Sequence, residues 1–212
     1  VTGVGVLARR FGIPVWMTEP TMRACRKLLK GSERVRNFDN DQSFTVGDLY
    51  FQPFILSHDA VDPVNFMVSG GDSCLGIATD MGMITQLVFE RLRAANLVVM
   101  ETNYDRDMLM NGPYPWSVKQ RISGNRGHLA NDTAALALTD LASQGLQQAV
   151  LAHLSDQSNQ PNLAADTCRD QLKRDVVGDE VGEIDLGHEA LIDIRIATDR
   201  ADARIFAWCH QQ

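Results

Sequence analysis

Ala149-Val150-Leu151-Ala152-His153-Leu154-Ser155 decides how this chain is read. A short apolar run ends in a histidine, and a polar turn follows at once. The same arrangement occurs twice more, in Phe54-Ile55-Leu56-Ser57-His58 and in Gly76-Ile77-Ala78-Thr79-Asp80. Three hydrophobic strands therefore each end in a side chain able to bind a divalent metal, and strand ends converge at one edge of a layered α/β fold. A metal centre at that edge needs neutral imidazoles and a charged carboxylate close together, with bonds of about 2.0–2.2 Å for zinc. A lone histidine is more often a satisfied polar group than a ligand; three candidates in one setting carry more weight.

Working outward, Leu75–Thr79, Leu97–Glu101 and Ala149–His153 are apolar runs separated by helical stretches at Ile84–Ala95 and Asn131–Ser143. That alternation predicts strands joined through helices on the faces of a sheet. Upstream, residues 4–11 read as the end of a helix closed by Gly12, and residues 13–17 as a short buried strand. Thr18-Glu19-Pro20 has the composition of a helix start, and that helix is expected to run to about Leu29 and stop at Gly31. From Phe44 to Val68 the pattern is of strands, with a turn at Gly47-Asp48, a strand over Tyr50–Leu56, a partner at Asn65–Val68 and another turn at Gly70-Gly71-Asp72. Residues 103–125 form a long loop with a helical piece at Trp116–Ile122, and long loops inside compact domains are often functional. A helix over residues 162–176 and terminal strands at 191–197 and 204–208 complete the expectation.

Each candidate has an ordinary reading beside the chemical one. Asp59 and Asp62 after His58 either orient its ring or simply make a turn. Asp80 can offer one oxygen to each of two metals, or it caps the next helix. Glu101, ending its strand at the same edge, either fixes the tautomer of a neighbouring histidine or pairs with an arginine. His128, just before a helix capped by Asn131 or Asp132, either protonates a departing oxygen or only hydrogen-bonds its loop.

With 212 residues and 44% hydrophobic content, the chain can bury a substantial core and fits one domain or most of a larger one. No apolar stretch approaches the roughly 18 residues of a membrane span, and Val1-Thr2-Gly3-Val4 lacks the basic start of a signal peptide, so a cytoplasmic location is expected. Cys25, Cys74, Cys168 and Cys209 are scattered, as buried free thiols would be. The net charge of −7 is uneven: residues 1–36 hold eight basic side chains and two acidic ones, a local +6 that leaves −13 for the remainder. Arg23, Arg26, Lys27 and Lys30 read either as the solvated face of a helix or as an electropositive wall for a phosphate-bearing substrate.

The residues Phe54-Ile-Leu-Ser-His58-Asp-Ala60, Thr79-Asp80-Met-Gly82, Glu101-Thr-Asn103-Tyr-Asp105, Tyr114-Pro115-Trp-Ser-Val-Lys119-Gln-Arg121-Ile122, Gly127-His128-Leu-Ala-Asn131 and His153-Leu-Ser155 stand in the order seen in metallo-β-lactamase-fold hydrolases. They look most like the YycJ-type group, which is related to ribonuclease Z and to small phosphodiesterases. The resemblance covers nearly the whole chain. It implies an αββα sandwich in which His58 and His153 each bind one metal, Asp80 bridges both, and Glu101 with His128 handles protons beside the leaving group. The cofactors it implies are two divalent ions, zinc or manganese with iron as a third candidate. Tyr104 departs from the histidine of many relatives. The family's His-x-His-x-Asp-His signature normally precedes a segment like Gly3-Val-Gly-Val-Leu-Ala-Arg-Arg10, so four ligands and their strands are expected upstream of Val1. A single domain, incomplete at its N-terminus and inactive in that state, is the corresponding expectation.

The implied reaction is phosphodiester hydrolysis by a metal-activated hydroxide, with His128 protonating the leaving oxygen and Arg23, Arg26 and Lys27 holding flanking phosphates. DNA or RNA cleaved near an end, in the manner of a 5′-exonuclease, is the leading substrate class. A small-molecule phosphodiesterase or thioester hydrolase of the same fold is the first alternative, and a non-catalytic interaction domain the second. No membrane partner is implied, and a homodimer is compatible with the reading.

Overall fold

The computed structural model describes residues 3–175, together with Leu191–Asp193 and Phe206–Ala207. Its centre is an eight-stranded mixed sheet. Strands β3 (Phe44–Val46), β4 (Leu49–Ile55), β5 (Val64–Gly70) and β6 (Ser73–Ala78) run antiparallel as a meander. Strands β7 (Leu97–Glu101) and β8 (Gln148–Ala152) then add parallel to β6. Leu191–Asp193 (β9) pairs antiparallel with β8, and Phe206–Ala207 (β10) pairs parallel with it. The expected strand segments 194–197, 204–205 and 208 lie outside the described residues, as do Val176 and Cys209. A separate two-stranded parallel sheet joins β1 (Val15–Met17) to β2 (Val35–Asn37).

This topology sets four strand ends at one edge. With β4 antiparallel to β5 and β5 antiparallel to β6, β4 points the same way as β6, β7 and β8. The chain therefore leaves all four strands at the same rim.

The helices are α1 (Val4–Phe11), α2 (Glu19–Cys25), α3 (Gln86–Leu92), α4 (Arg106–Asn111), α5 (Trp116–Ile122), α6 (Asn131–Ala142) and α7 (Pro161–Asp175). Gly12 ends α1 in the left-handed region at φ 63°, where glycine carries no Cβ penalty. Helix α2 is shorter than the sequence predicts: it ends at Cys25, and Arg26–Leu28 form a 3₁₀ turn. Ile13, expected in a buried strand, is exposed. Thr85 caps α3 by accepting the Val88 N–H, so Asp80 is not its cap. Ala130 stands at the N-cap of α6, and Asn131 and Asp132 fall in its first turn. The cap expected there is thereby moved.

Val98, Met100, Ala149 and Leu151 of β7 and β8 are buried against Ala134, Leu138 and Leu141 of α6 and Ala164, Cys168 and Leu172 of α7. A fully buried leucine such as Leu138 contributes about 1.5–3 kcal/mol, so this layer holds the rim rigidly. Burial pushes the Cys168 thiol up to about 12, which leaves it unreactive. A second cluster is aromatic. Trp16 of β1 stacks on Phe44 of β3 with ring centroids 4.7 Å apart, and Phe38, Phe51 and Phe66 close around it. It fastens the small sheet to the meander.

Candidate metal centre

The rim collects five of the residues singled out from the sequence. His58 follows β4 by three positions, Asp80 follows β6 by two, Glu101 is the last residue of β7, and His153 directly follows β8. His128 arrives from the loop between α5 and α6. There a short parallel pairing of Tyr104 with Ala130, and the Asn103 N–H donated to the Leu129 carbonyl at 2.9 Å, carry the loop along the end of β7.

Asp80 and His153 are the two non-glycine residues with positive φ among those described, at 57° and 58°. Positive φ is uncommon for any non-glycine residue, though Asn, Asp and His enter it more readily than others, and such residues persist where their surroundings over-determine them. Here they do. The Asn65 Nδ2 donates to the Thr79 carbonyl at 2.6 Å, and the Met81 N–H donates to Glu101 Oε2 at 2.8 Å, bracketing Asp80. Asn103 Nδ2 donates to the His153 carbonyl at 2.7 Å, and its own carbonyl accepts the Ser155 N–H at 2.8 Å. Asn65 and Asn103 thus belong to the site as supports, and sequence reasoning assigned them no role. An asparagine in or just after a strand is too common a signal to have found them.

Glu101 is wholly buried and joins two of the imidazoles. Its Oε1 accepts the Nδ1–H of His128 at 2.7 Å and of His153 at 2.8 Å. One carboxylate oxygen has lone pairs for both. Burial pushes the Glu101 carboxyl up, but the hydrogen bonds from His128 and His153 outweigh it and hold the group below its ordinary range. His153 is raised in turn by its hydrogen bond to Glu101, against the opposing effect of burial. Of the two readings of Glu101, the geometry is that of a histidine orienter rather than of an arginine partner.

His58 Nδ1–H donates to the Gly127 carbonyl at 3.0 Å. Gly127 must be glycine, because a Cβ there would fall inside the envelopes of the Arg121 and Ile122 carbonyl oxygens. With Nδ1 engaged in each ring, the Nε2 lone pairs of His58 and His153 are left for a cation. Both point at one atom: Asp80 Oδ1 lies 3.7 Å from His58 Nε2 and 3.6 Å from His153 Nε2. These separations are long for hydrogen bonds. Two donors on one tetrahedral ion, each about 2.1 Å from it, stand about 3.4 Å apart, so the donor set suits a divalent cation. His128 shares in the cluster, with a donor atom within 4.8 Å of those of His58 and Asp80. Its ring centroid is 5.2 Å from that of His58 and 5.1 Å from that of His153.

These groups line a cleft of about 510 Å³, together with Asp59, Tyr114, Arg121, Ser155 and Asp156. Arg23, Arg26 and Lys27, expected at the substrate, do not line it. They sit on α2 and the turn after it, where Arg23 pairs with Glu19 at 2.8 Å. Tyr104 is buried beside Leu109 and Ala130 and takes no place in the cleft lining.

Four parallel strand ends that bring His58, Asp80 and His153 to one cleft, with Glu101 buried behind two of its imidazoles, are the architecture of the metallo-β-lactamase fold. The solved structures agree. The metallo-β-lactamase fold protein YhfI from Bacillus subtilis superposes with a TM-score of 0.60 at 16% identity, covering 83% of this chain and 67% of that one. Zinc-bound PqqB from Methylobacterium extorquens superposes with a TM-score of 0.54 at 16% identity, over 73% of this chain and 59% of that one. Residues 1–154 match the β-lactamase superfamily domain, and the chain belongs to that family. A protein named exodeoxyribonuclease YycJ, from Bacillus anthracis, is 36% identical over 172 residues, 77% of this chain and 63% of its own length. One named exodeoxyribonuclease WalJ, from Streptococcus pneumoniae, is 32% identical over 182 residues, 84% of this chain and 68% of its own. The chain thus spans less than two thirds of the first of these relatives.

Proposed function

We propose that the chain carries part of the active site of a metal-dependent phosphodiester hydrolase, a nuclease that removes nucleotides from DNA ends. The observation behind the reading is the convergence of His58 Nε2 and His153 Nε2 on Asp80 Oδ1, with both rings fixed through Nδ1. The two relatives named as exodeoxyribonucleases support DNA as the substrate.

In this reading His58, His153 and Asp80 would hold the two divalent ions, zinc or manganese with iron as the further candidate. Bound there, such ions supply Lewis acidity and a nucleophile at neutral pH. The chain's own residues do the rest. Glu101 holds the Nδ1 proton of His153 and the Gly127 carbonyl holds that of His58, so Nε2 is the nitrogen that each ring turns to the metal. His128, with its Nδ1–H committed to Glu101, has Nε2 left to take up a proton, as from the attacking water, and deliver it to the leaving oxygen. The strained turns at Asp80 and His153 fix the donors before substrate arrives.

The test is metal content and DNA cleavage measured together. Asp80→Ala should lose bound metal and end cleavage of end-labelled DNA. Retention of full metal by that variant would return the reading to a non-catalytic interaction domain. One observation favours the small-substrate alternative, a cyclic phosphodiester or thioester hydrolase: Arg23, Arg26 and Lys27 are absent from the cleft lining.

A further inference from the structure

Arg121 is the one lysine or arginine lining the cleft among the described residues, and it shares the cleft with the carboxylates of Asp59, Asp80 and Asp156. Its Nε donates to Asp59 Oδ2 at 2.6 Å, and its side chain is 73% exposed. Among the described residues its two Nη groups have no hydrogen-bond partner. The other oxygen of Asp59 lies 3.5 Å from His58 Nε2. Asp59 therefore ties a largely free guanidinium to the rim of the metal-competent cluster.

An anionic substrate entering a cleft lined by three aspartates needs a cation to meet it. A guanidinium is the side chain best matched to two phosphate oxygens at once. An exposed Arg–Asp pair is weakly held in water, so an incoming phosphate can displace Asp59 without a large penalty. The position is also well fixed: the Arg121 carbonyl packs against Gly127, whose own carbonyl orients His58. A shift of α5 would thus move both the guanidinium and a metal-facing imidazole.

We propose that Arg121 is the phosphate anchor of the cleft, parked on Asp59 in the resting protein and transferred to a phosphodiester of the incoming strand. The inference rests on the phosphodiesterase reading above and adds a substrate-positioning residue to it.

The test is binding of a fluorescein-labelled oligothymidylate to the whole chain in EDTA, followed by anisotropy over a range of salt. Arg121→Ala should weaken binding about five- to tenfold and reduce the slope of log affinity against log salt by about 0.7, the share of one phosphate contact on a single strand. Arg121→Lys should recover the slope but only part of the affinity, since an ammonium is a point charge and not a fork. Asp59→Asn should tighten binding with Arg121 present and have a smaller effect when Arg121 is alanine. An unchanged affinity and slope for Arg121→Ala, or an equal gain from Asp59→Asn in both backgrounds, overturns the anchor.

Failure of the nucleic-acid reading looks different. If the full-length, metal-loaded protein neither binds the oligonucleotide nor cleaves DNA, that reading falls, and bis(p-nitrophenyl) phosphate hydrolysis becomes the arm that tests the anchor. A raised KM in Arg121→Ala then supports it for small phosphodiesters. An unchanged KM sinks it there as well.

Discussion

Glu101 sets the chemistry of its neighbours by being both buried and charged. A carboxylate at 0% exposure is costly unless hydrogen-bonded, and here two imidazole N–H groups and the Met81 N–H satisfy it. Carboxylates that orient metal-facing histidines typically change metal affinity about 10–100-fold when altered. Glu101→Gln is expected to lower metal affinity by that factor, read by competition with a chromophoric chelator; an affinity equal to wild type would remove Glu101 from the site. The same residue gives the metal-free protein a defined pH response. Glu101 is held below its ordinary 4.5, so its stabilisation is present above that pH and is lost as pH falls through the lowered folded value. His153 is held above its ordinary 6.5, so its stabilisation is full below 6.5 and is lost as pH rises through the raised folded value. Urea denaturation in EDTA should therefore show this pair contributing most between about pH 4.5 and 6.5. Glu101→Gln should flatten the window, and a wild-type profile identical to that of the variant would refute the coupling.

At the scale of elements, the rim is held by the junctions between strands and helices. Asn131 in the first turn of α6 and Asn159 before α7 exchange side-chain amide bonds at 2.9 and 2.8 Å, and Asn159 Nδ2 also donates to the Thr102 carbonyl at 2.7 Å, one residue past Glu101. Both are buried, so deleting either leaves the other unsatisfied, at a cost of about 1–3 kcal/mol. The double variant Asn131→Ala/Asn159→Ala is expected to cost less than the sum of the singles by about 0.5–3 kcal/mol; strict additivity in urea titrations would show that the pair does not act as a unit. The strands that reach the rim and α6 were legible in sequence because apolar runs of five to seven residues and turn pairs such as Gly47-Asp48 are local signals; β2, only Val35–Asn37, was not. The convergence of His58, Asp80 and His153 was legible for the same reason, since each marks the end of a strand. Helix α4 was missed because it spans only Arg106–Asn111, too short for a periodic pattern, and because Asp105, which caps it by accepting the Met108 N–H, reads equally well as a loop residue. The overlong α2 had a related cause: the apolar and basic spacing of residues 26–29 continues the helical pattern, and nothing local marks the tightening to a 3₁₀ turn. The left-handed conformation of His153 has no sequence signature at all, because it is imposed from outside by Asn103.

For the molecule as a whole, charge and position bear on the identity of the substrate. No helix among the described residues is long and apolar enough to cross a membrane, and the cleft is rich in carboxylates while the first 36 residues carry the basic excess. A strand of DNA long enough to reach α2 and the turn after it would meet exposed cations there: the Arg23 side chain is 76% exposed, and Arg26 and Lys27 are exposed as well. A compact cyclic phosphodiester would not extend so far. If a strand takes that path, replacing Arg23, Arg26 and Lys27 together by alanine should raise KM for DNA at low salt, leave kcat near wild type, and reduce the salt slope of binding by about 2–3, the share of three phosphate contacts. The same triple variant should hydrolyse bis(p-nitrophenyl) phosphate at the wild-type rate, since that substrate fits within the cleft. Unchanged KM and slope with DNA would show that these side chains are only the solvated face of a helix, and would shift the balance towards a substrate small enough to be held by the cleft alone.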